Sequence, residues 1–99
     1  MSNVIPMELP RPIAQDIIRR LAGEGQLVQE PVFITKLRER DFTMRQVLDT
    51  LTGGAVNQGP VRDEYGDWRC RVRRRVSGRL VRVVVAIHDL RLLYLISVH

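Results

Sequence analysis

The chain has 99 residues, of which 44% are hydrophobic and 27% charged, which suits one globular domain with a small core and excludes a disordered chain. Its formal net charge is +5, and its only cysteine, Cys70, excludes an intramolecular disulfide. One cysteine and two histidines also provide too few ligands for a structural zinc site, so we expect neither a metal nor a cofactor.

The sequence shows no pattern for export or membrane insertion. Residues 1–12 lack the apolar segment of a signal peptide, and the most apolar stretch, Leu80–Val98, is interrupted by Arg82, Asp89 and Arg91. We therefore expect a cytoplasmic protein that does not contact a membrane.

The first predicted element is a helix. Residues 1–11 carry two prolines and no periodicity, which predicts a loose arm in front of a single domain over residues 12–99. Pro12 suits the first turn of a helix, and apolar residues follow it at helical spacing. Gly23 and Gly25 are expected to end that helix.

Three further elements are predicted before the middle of the chain. Gln26–Glu30 suits a short edge strand. Phe33–Arg40 is ambiguous between strand and helix, and its charged second half favours a short helix. Thr43 and Gln46 have the spacing of a capping box, which predicts a helix that ends at Gly53-Gly54.

From Ala55 onwards the hydrophobic period changes to that of β-strands. Trp68–Val76 alternates between apolar residues and arginines, and Ser77-Gly78 is typical of a two-residue hairpin turn. Leu80–Ile87 follows as a nearly apolar central strand. Asp89-Leu90 is expected to form the next turn, before a last strand over Leu92–Val98.

A turn at Ser77-Gly78 fixes which residues share a face of the sheet. It places Trp68 opposite Ile87 and Arg73 opposite Arg82. The face that the helices cover should hold Trp68, Cys70, Val72, Leu92, Tyr94, Ile96 and Val98. The open face should hold Arg69, Arg71, Arg73, Arg75 and Arg82. The sequence thus predicts an α+β fold with two layers, in which N-terminal helices pack on one face of a C-terminal antiparallel sheet.

The positive charge is concentrated in the predicted sheet. Residues 68–99 contain eight arginines and one acid, whereas residues 1–67 contain eight basic and ten acidic residues. A localised basic surface attracts polyanions and releases counterions from phosphates, and arginine suits phosphate groups and base edges. We therefore expect the five arginines of the open face to bind RNA. The alternative for any single arginine is a solvated position.

Three side chains are candidates for metal-free RNA cleavage, which needs a base, an acid and a cation near the phosphate. Arg69 can supply the cation. His88 points to the arginine face in the predicted register and can act as acid or base, although a histidine beside Asp89 is also typical of turn chemistry. Tyr65 can stack on a base or transfer a proton, or alternatively cap the sheet edge.

Four segments together resemble a known family. The segments "AGEGQLV", "DFTMRQVL", "DWRCRV" and "VVVAIHDLRLLYLISV" are similar to the MqsR-type toxins and related uncharacterised domains with the RelE- and barnase-like ribonuclease fold. This resemblance covers roughly residues 13–98. It implies a RelE-like fold and a metal-independent endoribonuclease that cuts messenger RNA and is silenced by a cognate antitoxin protein.

The catalytic residues of that family are not reproduced. Where the family has a glutamine, a tyrosine and a lysine, this sequence has Arg69, Val81 and a position near Ser97. The leading expectation is a toxin-like endoribonuclease (an mRNA interferase). The alternative is an inactive module of the same fold that holds RNA or an acidic protein partner, or an assembly protein whose arginine face contacts another subunit.

Overall fold

A computed structural model describes residues 8–99 of the chain. Helices and strands follow one another in the order α1 (Arg11–Gly23), β1 (Leu27–Gln29), α2 (Pro31–Glu39), α3 (Met44–Gly53), β2 (Ala55–Arg62), β3 (Trp68–Val76), β4 (Arg79–His88) and β5 (Leu92–Val98). The predicted α+β fold class is confirmed, with the helices in the N-terminal half and most of the sheet in the C-terminal half.

The sheet has five strands in the order β1-β5-β4-β3-β2. Strands β2 to β5 are antiparallel to their neighbours, whereas β1 pairs in parallel with β5. The C-terminal strands β2 to β5 thus form the predicted antiparallel sheet, and β1 makes the whole sheet mixed. The reason is that β1 joins the far edge of the sheet after a long separation in sequence, and no hairpin dictates its direction.

The three helices begin and end where local chemistry predicts. Prolines occupy the first turns of α1 and α2, where a missing N–H costs nothing. At the start of α3, the Thr43 hydroxyl accepts a hydrogen bond from the Gln46 N–H, and the Gln46 side chain accepts one from the Thr43 N–H. This reciprocal capping box satisfies two backbone donors that would otherwise lack partners.

Strand β2 was not assigned from the sequence. Its pairing with β3 has two register shifts, between Val56 and Gln58 and between Gln58 and Val61. Each shift interrupts the alternation of buried and exposed side chains, and Gly59 and Pro60 within the strand further resemble a loop. The β-strand period that begins at Ala55 is therefore too irregular within β2 to give the bounds of the strand.

The predicted hairpin between β3 and β4 is confirmed. Trp68 pairs with Ile87 and Arg73 with Arg82, around a turn at Ser77-Gly78 in which both residues have positive φ angles. Cys70 and Val72 consequently lie in the core.

The predicted faces of β5 are wrong for three residues. His88 pairs with Leu92, so the turn contains three residues instead of two, and this one-residue slip turns Leu92, Tyr94 and Ile96 to the open face. Leu93 and Leu95 are fully buried in their place. Val98 is nevertheless buried as predicted. The register shift between Val84 and Val85 leaves one extra residue in β5, so the residues after it return to the predicted faces.

The core lies between the inner face of the sheet and all three helices. Its largest fully buried side chains include Phe33, Ile18, Leu21 and Leu51 from the helices, and Ile87 from β4. Because the helices cover only one face, the other face of β2 to β5 carries no layer formed by residues 8–99.

The predicted N-terminal arm lies partly outside the described residues, which begin at Glu8. Within the arm, Leu9 is half-buried and packs against the core. No helix within residues 8–99 has the length and apolar character needed to cross a membrane.

Candidate functional site

The open face of the sheet gathers arginines from β3 and β4. Arg69, Arg71 and Arg73 alternate with buried residues along β3, and Arg82 lies directly opposite Arg73. No acidic residue among those described forms an ion pair with any of these four side chains. Like charges opposite one another on neighbouring strands repel, so this surface is poised to receive an anion.

One of these arginines is held in place by a neighbouring strand. The Arg71 Nε donates a hydrogen bond to the Asn57 Oδ1 at 3.2 Å. This bond orients the guanidinium while its two terminal nitrogens make no hydrogen bond to residues 8–99, so they can face a ligand.

His99 lies close to two arginines at one end of the open face. Its backbone exchanges two hydrogen bonds with Arg82, so the residue is held against β4. Burial lowers the pKa of His99, and nearby Arg71 and Arg82 lower it further.

Two other arginines of the same strand are used locally. Arg75 lies on the open face as predicted, but its Nη1 donates to the Gly78 carbonyl of the hairpin turn. Arg74 points to the helix side, where its Nη1 donates to the Asp49 carbonyl within α3. The arginines available for an extended ligand are therefore Arg69, Arg71, Arg73 and Arg82, which we call the arginine face.

A concave groove of about 550 Å³ adjoins the arginine face. It brings together the three catalytic candidates, Tyr65, Arg69 and His88, which come from a loop and two strands. The complete lining is Glu30, Asp63, Tyr65, Asp67, Arg69, Ala86, His88, Tyr94 and Ile96. We call it the His88 groove.

His88 is held by a carboxylate that is mostly shielded from solvent. Its Nδ1 lies 2.8 Å from the Asp67 Oδ1, and the side chain of Asp67 is 12% exposed against 43% for His88. The hydrogen bond to Asp67 raises the pKa of His88 above its ordinary value, and the negative charges of Asp67 and Asp89 add to this effect. The protonated ring is thus stabilised relative to that of a free histidine.

The loop that presents Tyr65 is organised by Asp63. Its Oδ1 accepts hydrogen bonds from the N–H groups of Tyr65 and Asp67 at 2.9 and 3.0 Å. The Asp63 carboxylate is thus a structural element of the loop, as is usual where an aspartate bonds to backbone two residues further on. Tyr65 itself is 78% exposed, which leaves its ring free to contact a ligand.

Glu30 provides a further carboxylate in the groove. Its backbone N–H donates to the Leu95 carbonyl, which fixes the residue beside β5. Asp63 and Asp67 are occupied by the loop and by His88, whereas the Glu30 carboxylate makes no hydrogen bond to residues 8–99. It is therefore the carboxylate of the groove that can accept a proton from a ligand.

Three groove residues were missed by the sequence-based reasoning: Asp67, Glu30 and Tyr94. The Asp67 contact was available from the register, because the hairpin that pairs Trp68 with Ile87 also sets Asp67 opposite His88. Tyr94 was assigned to the core through the turn-length error, and its ring in fact lies edge-on to His88 with 5.7 Å between centroids. No sequence pattern indicated that Glu30 belongs to the groove, because the parallel pairing of β1 with β5 was not predicted.

Cys70 does not belong to the chemistry of the groove. Burial raises the pKa of its thiol to about 12, so it is uncharged and unreactive at neutral pH. Residues 8–99 also contain no group of three or more acidic, histidine or cysteine side chains arranged to hold a metal ion.

The comparisons with known proteins place the chain in a family. A family model described as "Domain of unknown function (DUF4258)" matches residues 32–99. The chain therefore belongs to the DUF4258 family, and the matched part runs from α2 to the end of the sheet and includes every groove residue except Glu30. No curated protein and no solved structure matches the chain.

Proposed function

We propose that this protein is a metal-independent endoribonuclease that binds single-stranded RNA on its arginine face and cleaves it in the His88 groove. The observation that carries the proposal is the groove itself, where Tyr65, Arg69 and His88 meet although they come from separate elements. A positive surface that leads into a groove with paired acid–base groups suits cleavage of a phosphodiester better than passive binding.

The proposed reaction is an internal transfer at phosphorus. The Glu30 carboxylate takes the proton of a ribose 2′-hydroxyl, and the 2′-oxygen attacks the adjacent phosphate. The bond from phosphorus to the 5′-oxygen breaks, and that oxygen takes a proton from His88. The products are a 2′,3′-cyclic phosphate and a 5′-hydroxyl, so atoms and charges balance without a metal or a co-reactant.

The assignment of His88 as the acid follows from its partner. A hydrogen bond to Asp67 at Nδ1 favours the protonated ring, and the second N–H, at Nε2, lies 3.5 Å from the exposed Asp89 Oδ2 and carries the proton that the leaving oxygen takes. Arg69, which lines the same groove, places a positive charge where the phosphorane develops negative charge.

We further propose that the chain is a distant relative of the MqsR- and RelE-like toxins and acts on cytoplasmic RNA under the control of an antitoxin protein. The layering of helices on one face of the sheet and the open arginine face support this relationship. An acidic antitoxin segment laid across that face would neutralise it and block the groove.

A second candidate is an RNA-binding module without catalysis, which one observation favours. Val81, at the position where the resembled family has a catalytic tyrosine, is fully buried in the core. Any catalysis must then come from the His88 groove and not from the family's own residues, and a loss of activity in evolution would leave the arginine face as a binding surface.

The test is cleavage of a mixed-sequence single-stranded RNA by purified protein in EDTA, with the products resolved on a gel and their ends identified. We expect wild-type protein to yield 2′,3′-cyclic phosphate ends. His88→Gln and Glu30→Gln should each lower the rate about 100-fold or more, as is typical when a general acid or base is removed.

Glu39→Gln is the matched control, because Glu39 pairs with Lys36 on α2 outside the groove, and it should cleave like the wild type. Intact RNA with a salt-sensitive shift would refute the endoribonuclease and support the binding module. Cleavage that survives both groove substitutions would place the chemistry elsewhere.

A further inference from the structure

A second concave groove lies on the open face next to the first. It has a volume of about 310 Å³ and runs between β2 and β3. Its lining is Gln58, Gly59, Val61, Arg69, Cys70, Arg71 and Val84, and we call it the Gln58 groove. Arg69 lines both grooves, so a phosphate bound to Arg69 would have one neighbouring nucleotide over each of them.

Two polar side chains of the Gln58 groove lie opposite each other and can contact the same ligand. Gln58 and Arg71 are directly opposite each other in the pairing of β2 with β3. The side chain of Asn57, the residue before Gln58, accepts a hydrogen bond from the Arg71 Nε, and the terminal nitrogens of Arg71 make no hydrogen bond to residues 8–99. Glutamine is suited to the N6 and N7 atoms of adenine, and arginine to the O6 and N7 atoms of guanine.

The rest of the groove is apolar. Val61 is 64% exposed although it is a large hydrophobic residue, and half-buried Val84 lies beside Arg71 on β4. Exposed apolar side chains next to a polar pair suit the face of a flat aromatic ring, which stacks on apolar surface while its edge makes hydrogen bonds.

We propose that the Gln58 groove is a subsite for a purine base, belonging to the nucleotide adjacent to the phosphate that Arg69 contacts. This inference rests on the proposed function as a ribonuclease and adds a base preference to it. With adenine, Gln58 donates to N7 and accepts from N6, and with guanine, Arg71 donates to N7 and O6; N7 is the acceptor that all purines carry on this edge and pyrimidines lack. The protein thereby prefers RNA that carries a purine next to the phosphate in the His88 groove.

The experiment measures binding of hexamers whose 2′-hydroxyls are methylated, so that no cleavage occurs, by fluorescence anisotropy. The probes are an adenine hexamer and the same hexamer made with 7-deazaadenine, which lacks only the N7 acceptor. Wild-type protein should bind the adenine hexamer about fivefold more tightly, as expected when one hydrogen bond is lost. Gln58→Ala should bind both hexamers equally.

Gln26→Ala is the control, because Gln26 is exposed at the opposite edge of the sheet and should keep the full discrimination. Equal binding of the two hexamers by wild-type protein, or discrimination that survives Gln58→Ala, would overturn the subsite. Cleavage of ordinary RNA without discrimination overturns the subsite alone. Discrimination without cleavage supports the subsite and overturns the proposed reaction.

Discussion

The pKa of His88 is raised by a hydrogen bond to a carboxylate that is more buried than the histidine ring itself. Asp67 is placed by two features of its surroundings, the hairpin register that sets it opposite His88 and the Asp63 carboxylate that bonds its N–H. Because the anion is fixed before a ligand arrives, the acid of the proposed reaction is prepared in the unbound protein.

Replacement of Asp67 by asparagine should lower the pKa of His88. The substitution removes the hydrogen bond and the negative charge that raise it, so the pKa should fall towards the ordinary value of 6.5. An NMR titration of the His88 ring protons measures the change. Asp89→Asn should have a smaller effect, since Asp89 makes the weakest of the contributions that raise the pKa; an equal effect of both would contradict the assignment of Asp67 as the main partner.

The same pair makes stability depend on pH with a defined sign. Since the folded pKa of His88 is raised above its unfolded value of 6.5, its contribution is fully present below pH 6.5 and is lost as the pH rises through the folded pKa. The Tm of the wild type should therefore exceed that of His88→Gln most clearly at pH 5.5, with the gap narrowing above pH 6.5. A gap that widens with rising pH would show that the pKa is lowered instead.

Two glycines with the same backbone conformation should tolerate alanine differently. Gly59 and Gly66 both have φ near +80°, but a Cβ at Gly59 would press on the Arg69 carbonyl oxygen, whereas none of the described atoms approaches a Cβ at Gly66. Gly66→Ala should cost about 1–2 kcal/mol for its backbone conformation alone. Gly59→Ala should cost at least about 1 kcal/mol more, and equal costs in urea unfolding would refute the close approach.

At the scale of whole elements, the chain could be predicted wherever local chemistry decides the outcome. The capping box of α3 and the Ser77-Gly78 turn are decided by neighbouring residues, and both are confirmed. The direction of β1 depends on a partner far away in sequence, and the pairing of β2 with β3 is irregular; neither was predicted. Tyr94 was placed on the wrong face of the sheet because the turn before β5 contains one more residue than predicted, which reverses the side chains up to Ile96.

The cap of α3 should contribute measurably to stability. Thr43→Ala removes the hydroxyl that accepts the Gln46 N–H, which should cost about 1 kcal/mol in the free energy of unfolding. Thr52→Ala is the matched control within α3, because the Thr52 hydroxyl bonds only to the Leu48 carbonyl and its side chain is exposed. Urea unfolding should separate the two variants; equal losses would mean that the cap contributes nothing of its own.

At the scale of the whole molecule, the helices and the arginine face lie on opposite sides of one sheet. This arrangement was predictable because the β3–β4 hairpin alone sorts its residues between the two faces. The His88 groove was predictable only in part. Tyr65, Arg69 and His88 were named from their residue types, whereas Glu30 and Tyr94 enter through β1 and β5, whose placement depends on the complete sheet.

Binding of RNA should weaken with salt in proportion to the arginines engaged. For single strands the slope of log K against log salt is about −0.7 per phosphate neutralised. An Arg73→Ala/Arg82→Ala double variant should therefore reduce the slope by about 1.4. An Arg38→Ala/Arg45→Ala double variant, altered on exposed positions of α2 and α3, should keep the wild-type slope; a loss as large as that of the first variant would mean that RNA does not bind through the arginine face.

The irregular pairing of β2 also limits how other proteins can attach. One border of the sheet is β1, only three residues long, and the other is β2, whose register shifts and Pro60 leave no continuous row of backbone donors. Both borders are thus poor templates for an added strand, which protects the chain from edge-to-edge aggregation. The antitoxin proposed above would accordingly be recruited by charge across the open surface and not by extension of the sheet.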